Sequence, residues 1–227
     1  MTRPGRPKLS PSTDPGPLYI DATDWSERID LAELFGNENP VELEIGCGRG
    51  LFLDNASRAK PDVNFIGLEV AKKVAQLAAF RCLNAGVANV RVLVIDARKF
   101  LALIPERSLE AVHIYFPDPW WKRRHRKRRM VAPDVLQRLT QVMQPGTKML
   151  LATDVEEYYH SMQKTFARFP EFAREADPAP SPGDHPLDYL THFERKFRTA
   201  GKWIGRLAYK LSGPTSDRGD QAAEGDQ

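Results

Sequence analysis

The chain has 227 residues, 41% hydrophobic and 28% charged, which is the make-up of a soluble globular protein long enough for one α/β domain. No apolar run reaches the roughly 20 residues that cross a bilayer, and Met1–Lys8 lacks a signal-peptide core, so neither membrane insertion nor export is expected. Net charge is only +3, but seven of the 33 Lys/Arg lie in the acid-free run Lys122–Arg129, leaving 26 against 30 acids (−4) elsewhere and pointing to a polyanionic partner at that run.

Residues 1–17 carry Pro, Gly, Ser and Thr with few apolar anchors and read as a disordered tail, as do 212–227. Residues 18–211 read as one domain. Leu18–Ile20 is a short edge element, and Ser26–Phe35 is read as a helix leading into the first long strand, Val41–Ile45. That strand runs into Gly46-Cys47-Gly48-Arg49-Gly50, followed by a helix from Leu51 to about Ala59 that stops before Pro61. Asn64–Glu69 is the next strand, and the helix after it ends near Asn84-Ala85-Gly86. Val90–Ile95 is a third strand, with a short helix at Arg98–Leu103. Ala111–Phe116 is a fourth, broken by Pro117-Asp118-Pro119. Pro133 opens a helix closed by Pro145-Gly146. Lys148–Ala152 is the fifth strand, Val155–Phe169 a helix, and Thr191–Lys210 a strand-rich end that forms an antiparallel edge. The alternation predicts a mostly parallel, Rossmann-like α/β sheet with helices on both faces. Cys47 and Cys82 are too few for a disulfide framework and read as free thiols in a reducing cytoplasm.

In such a sheet ligands bind at the carboxyl ends of the strands. Gly46, Gly48 and Gly50 let a ligand approach the backbone at a helix start, but their spacing is GxGxG, not the GxGxxG of dinucleotide enzymes, and no Walker pattern is present. Glu44, Glu69, Asp96 and Asp118 all fall at strand ends. Glu69 lies 19 residues after Gly50, where an acid bonds ribose hydroxyls. Asp96 suits an adenine amino group and equally an N-cap for the helix after it. Glu44 bonds either loop N–H groups or a ligand's amino group. Acids around the turn, with no phosphate-binding Lys, fit S-adenosylmethionine, whose sulfonium and amino group are cationic. No metal is expected.

The stretch from Phe116 to Arg129 is the most specific. Two prolines fix Asp118 at the strand end, then Trp120 and Trp121 precede the cations Lys122, Arg123, Arg124, Arg126, Lys127, Arg128 and Arg129. Aromatics beside clustered cations suit an exposed base and its flanking phosphates.

Glu44–Gly50, the Phe-Pro-Asp-Pro-Trp stretch with its basic tail, Thr153-Asp154 and Thr191-His192-Phe193-Glu194 together resemble bacterial tRNA (guanine-N7)-methyltransferases. They occur in that family's order and cover roughly Val41 to Lys210. The resemblance implies a class I methyltransferase fold and transfer of a methyl group from S-adenosylmethionine to N7 of a tRNA guanine, in the variable loop. It implies Glu44, Glu69, Asp96 and Asp118 at the cofactor, Asp118 as active-site residue, and substrate contacts from Lys122, Asp154, Thr191 and Glu194. By residue type alone, Asp154 is equally an N-cap for the Val155 helix and Thr191–Glu194 a surface strand. Trp121 stands where the family commonly has Pro, and Val155 where it commonly has Asn. A cytoplasmic monomer or homodimer with no obligate protein partner is expected. The competing readings are a non-catalytic RNA-binding protein with a relic pocket and a small-molecule methyltransferase.

Overall fold

Among the described residues, alternating and continuous apolar runs set eight strands side by side. They are β1 (Tyr19–Asp21), β2 (Val41–Ile45), β3 (Asn64–Leu68), β4 (Val90–Val94), β5 (Leu109–Tyr115), β6 (Met143–Thr153), β7 (Phe172–Arg174) and β8 (Gly205–Leu211). The computed structural model describes residues 14–179 and 191–212. Most of the two expected tails, 1–13 and 213–227, lies outside the described residues; Gly16–Leu18, at the edge of the first, forms a 3-10 turn with Leu18 buried.

The sheet order is β1-β4-β3-β2-β5-β6-β8-β7. The pairs from β1 to β6 are parallel, and β8 runs antiparallel to both β6 and β7. Every residue of β2 and β3 is buried, as central parallel strands covered on both faces require. One face packs α2 (Leu51–Ala59) and α3 (Lys72–Asn84) through Phe52, Leu53, Ala75, Ala78 and Ala79. The other packs α1 (Leu31–Phe35), α4 (Ala97–Leu103), α5 (Pro133–Val142) and α6 (Glu156–Phe166) through residues such as Phe35, Phe100, Leu136, Leu139 and Met162. The mostly parallel Rossmann-like sheet with an antiparallel C-terminal edge is thus the observed fold.

The placement that matters for function is the neighbour pair β2 and β5. From β2 the chain builds one half of the sheet through β3 and β4, then returns to β2's other side with β5. That reversal opens a gap at the strands' carboxyl ends. The glycine turn leaves β2 there, and the Pro-Asp-Pro loop leaves β5 there.

Several elements differ from the sequence reading. The Ser26–Phe35 helix shrinks to Leu31–Phe35, because the Asp30 carboxylate caps it by accepting from the Ala32 and Glu33 amides at 2.8 and 3.1 Å. The α5 helix ends at Val142, and Met143 already pairs with Leu109, so β6 runs through Pro145-Gly146. The end of the chain is not strand-rich throughout. Thr191 caps a helix, α7 (His192–Thr199), by accepting from the Glu194 amide at 3.1 Å, and only Gly205–Leu211 joins the sheet.

Gly50 illustrates how tightly α2 and α3 meet. A Cβ there would lie 2.9 Å from Ala78 Cβ and 3.0 Å from Ala78 Cα, on a backbone with φ +69°. Gly50→Ala is therefore expected to destabilise the fold by about 3 kcal/mol, strain and overpacking combined. Gly48 has φ +54° and nothing within 4 Å of a built Cβ. Gly48→Ala should cost only about 1 kcal/mol. Urea unfolding of both variants checks the difference.

Candidate active site

The turn after β2 is tied to the neighbouring strand before it reaches any ligand. The Gly46 and Cys47 amides both donate to the Leu68 carbonyl at 2.9 Å, and the Gly50 amide donates back to the Cys47 carbonyl at 2.9 Å. Gly46 (φ +80°) and Gly48 line the gap at the strand ends, with nothing within 4 Å of a Cβ built on either. Gly50 is buried away from it, which corrects its expected place at the cofactor. Its role is the close approach of two helices.

The gap is a cavity of about 1090 Å³. Glu44, Glu69, Asp96 and Asp118 all line it, from the ends of β2, β3, β4 and β5. Glu69 accepts from the Ala71 amide through Oε1 at 2.9 Å. Asp96 does cap α4, accepting from the Arg98 amide through Oδ1 at 2.9 Å, yet it also lines the cavity, so both expectations for it coexist. Glu44 is different in kind. It is 2% exposed, and its Oε2 has no hydrogen-bond partner among the described residues. Burial first, and then the nearby Glu69 charge, push its carboxyl up to about 8. An orphaned carboxylate oxygen beside a bare backbone turn is suited to a cationic donor group.

Asp118 sits exposed in a constrained loop. Phe116 and Trp120 on either side of Pro117-Asp118-Pro119 both have positive φ, +52° and +44°, which bulky L-residues adopt only when their surroundings enforce it. The enforcing contacts are the Phe116 amide donating to the Ala152 carbonyl and Arg129 Nε donating to the Pro119 carbonyl, both at 2.8 Å.

The basic run forms a 3-10 turn at Arg123–Arg128. Lys127 and Arg128 line the cavity mouth, with the Arg128 guanidinium 5.0 Å from the centre of the Trp120 ring. Arg124 and Arg126 are exposed, Arg126 within 3.7 Å of Glu157. The Arg123 side chain lies outside the described atoms. Arg129 corrects its expected role as a phosphate contact. It is 7% exposed, donates to Pro119 and Ser161, and lies over the Tyr158 ring. It braces the loop from beneath. Arg98 does the same from α4, donating to the Lys127 and Arg129 carbonyls and pairing with Asp134 at 2.7 Å.

Cations from other segments join this loop at the mouth: Arg49, Arg98 and Lys196 also line the cavity. Four strand-end acids, of which Glu44 alone is buried, thus share the cavity with a cationic rim that is wider than the single run visible in sequence.

Of the expected substrate residues, Thr191 lines the cavity, whereas Lys122 is exposed outside it and Asp154 is half-buried outside it. Asp154 is not the side-chain cap of α6; Thr153 Oγ1 instead accepts from the Val155 amide at 3.2 Å. Glu194 is 1% exposed and ion-paired with Arg206 of β8, so it fixes α7 on the sheet rather than facing the cavity. Phe52, Tyr115 and Lys196 line the site without having been singled out in the sequence. The adjacency of Tyr115 to the Pro-Asp-Pro loop was the available signal for one of them.

Comparison with known proteins decides the family. A family model described as "Putative methyltransferase" (Methyltransf_4) matches residues 38–207. A tRNA (guanine-N(7)-)-methyltransferase of Rhodopirellula baltica is 35% identical over 217 residues, covering 92% of this chain and 80% of the relative. The chain belongs to the tRNA (guanine-N7)-methyltransferase family. A member from Geobacter metallireducens is 34% identical over 197 residues, with 86% and 92% of the two chains covered. Among solved structures, the 16S rRNA methyltransferase KamB superposes with a TM-score of 0.61 at 17% identity, over 86% of this chain and 99% of that one. The 16S rRNA (adenine(1408)-N(1))-methyltransferase of Catenulisporales acidiphilia (W203A mutant, with SAM) gives 0.54 at 16% identity, over 79% and 88%. These two share the fold. As in its family, the cofactor of this methyltransferase is S-adenosylmethionine, and the acidic lining with its orphaned Glu44 oxygen fits that cationic molecule. Among the described residues no cluster of metal-binding side chains and no helix long and apolar enough to cross a membrane occurs.

Proposed function

We propose that this protein, acting in the cytoplasm through one domain spanning residues 18–211 and without an obligate protein partner, methylates N7 of a guanine in the variable loop of tRNA. The observation that carries the reading is the gathering of four strand-end acids and a cationic rim in one cavity at the switch point of the sheet. S-adenosylmethionine, when bound, supplies an electrophilic methyl group.

The chain's own residues do the rest. Glu44 takes the cofactor's amino group, Glu69 its ribose hydroxyls and Asp96 its adenine edge. Guanine N7 carries an in-plane lone pair and no proton, so no side chain has to act as a strong general base. The work left to the protein is alignment and charge. Asp118 faces the guanine from the braced loop, where it either stabilises the positive charge that N7 acquires or accepts from the guanine N1–H and N2 amino group. Lys127, Arg128 and Lys196 meet the phosphates. A small-molecule enzyme has no use for that rim, and a relic pocket has no reason to keep four strand-end acids together.

The test is transfer of a radiolabelled methyl group to unmodified tRNA, followed by nucleoside analysis. Label on 7-methylguanosine is expected, and label on another atom overturns the reading. The rim gives a second expectation. Replacing Lys127 and Arg128 together with Ala should weaken tRNA binding about tenfold and flatten the slope of log K against log salt by roughly 1 to 2, with S-adenosylmethionine affinity unchanged. Fluorescence anisotropy at several salt concentrations measures it.

A further inference from the structure

A row of polar side chains that the reaction does not use, buried except at its Lys60 end, runs along one face of the sheet to the cavity lining. Lys60 Nζ meets Glu42 Oε1 at 2.7 Å, Glu42 Oε2 meets His113 Nε2 at 2.9 Å, and His113 Nδ1 meets the Tyr115 hydroxyl at 2.9 Å. Glu42, His113 and Tyr115 are all buried. The register pairs Glu42 with Ala111 and Glu44 with His113, so Glu42, Glu44, His113 and Tyr115 share one face of the sheet. Tyr115 and Glu44 line the cavity; Lys60 is at the opposite, exposed end of the row.

The row has a direction. Burial opposes the charge on Glu42, but its bonds to His113 and Lys60 outweigh that and hold the carboxyl below its usual range. Burial also keeps the His113 imidazole below its usual range against the pull of Glu42, and it raises the Tyr115 phenol further. Glu42 is thus an ionised acceptor, His113 neutral and Tyr115 a donor. These partners assign the tautomer: His113 donates from Nε2 to Glu42 and accepts the Tyr115 hydroxyl proton at Nδ1. Each donor points toward the carboxylate. The surrounding face is hydrocarbon, including Phe52, Leu53, Phe65 and Val92. An apolar filling there would serve stability as well or better, since buried polar groups are costly to keep paired. What the row does accomplish is to lock a wall. The Phe52 ring packs on His113 at 4.4 Å and on Tyr115 at 5.2 Å between ring centres, and both Phe52 and Tyr115 face the cavity.

We propose that Glu42 and His113 are positioning residues that fix Tyr115 and Phe52 as a rigid wall of the S-adenosylmethionine site. The inference rests on the reading of the cavity as the cofactor site. Tyr115→Phe keeps the ring and orphans His113 Nδ1. It should raise the KM for S-adenosylmethionine about three- to tenfold, with the KM for tRNA unchanged. His113→Phe should do at least the same, and adding Tyr115→Phe to it should change the KM less than twofold further, because His113→Phe already removes the bond that Tyr115→Phe breaks. In the wild-type chain, 15N NMR should show His113 protonated at Nε2 and bare at Nδ1. An unchanged KM for S-adenosylmethionine in Tyr115→Phe, with or without a lower Tm, overturns the relay, as does additivity in the double variant or a proton on Nδ1. Failure of the wild-type chain to bind S-adenosylmethionine in calorimetry would instead overturn the cofactor reading and the relay's role together.

Discussion

Glu44→Gln will weaken S-adenosylmethionine binding about 100-fold at pH 8.5, roughly 3 kcal/mol, the scale for removing one partner of a buried charge pair. The same change will remove most of the pH dependence of binding below about pH 8. Glu44 is enclosed, with an unpartnered oxygen and a carboxyl held near 8 by burial and by Glu69. At pH 7 the free chain therefore carries it mostly protonated, while an ammonium group beside it favours the ionised form. Cofactor binding should release up to about one proton at pH 7, and affinity should climb with pH until about 8 and then level off. Calorimetry in two buffers of different ionisation enthalpy counts that proton. Stability of the free chain moves the other way. A carboxyl whose folded-state pKa lies above its unfolded value contributes its full stability below the unfolded value. It loses that contribution as pH rises through about 8. The Gln variant should thus be more stable than the wild type at pH 8.5, by a few kcal/mol in urea unfolding, and not at pH 4. One substitution that strengthens the fold and ruins binding is the signature of a residue kept for its ligand. Wild-type affinity in the Gln variant would sink the assignment.

The strand-end acids were legible in the sequence because a strand end is a local event. Val41, Leu43 and Ile45 alternate into glycines, and an acid at the edge of such a run has a defined position whatever packs around it. The same logic located Glu69, Asp96 and Asp118, and all four acids line one cavity. Burial, by contrast, is decided by chain segments far apart in sequence. Arg129 is the last of a cationic run and looks as solvated as Arg128, yet Tyr158 and Ser161 from α6 enclose it. Gly50 shares its motif with Gly46 and Gly48, but Ala78, 28 positions later, claims the space beside it. Glu194 belongs to a segment of Thr, His and Phe that suits a strand by residue type. The Thr191 cap and the Arg206 partner on β8 turn it into a helix start instead. Tyr115 escaped for a related reason. A tyrosine within an apolar strand is ordinary core until His113 and Glu42 are seen beneath it.

Asp118→Ala should lower kcat about 100- to 1,000-fold, the range seen when one group that stabilises transition-state charge is removed. Binding of tRNA should stay within about twofold, because phosphates are held by the rim and not by this carboxylate. On the proposed reading, the loop serves to present Asp118. Two prolines, two positive-φ aromatic residues and a buried arginine restrain five consecutive residues, and the carboxylate they hold is left exposed. Such strain persists only where the surroundings impose it, and it is common at functional sites. Asp118→Asn separates the two roles open to the carboxylate. Asn retains an oxygen that accepts from the guanine N1–H and N2 edge but carries no charge. If Asp118 works by opposing the positive charge that grows at N7, the Asn and Ala variants should be equally slow. If it works by holding the guanine edge, Asn should recover a large part of the lost methyl-transfer rate. Single-turnover methyl transfer at saturating cofactor distinguishes the two, since it reads the chemical step without product release. Full turnover in the Ala variant would remove Asp118 from the active site, and the braced loop would then have to be explained by the basic turn that follows it.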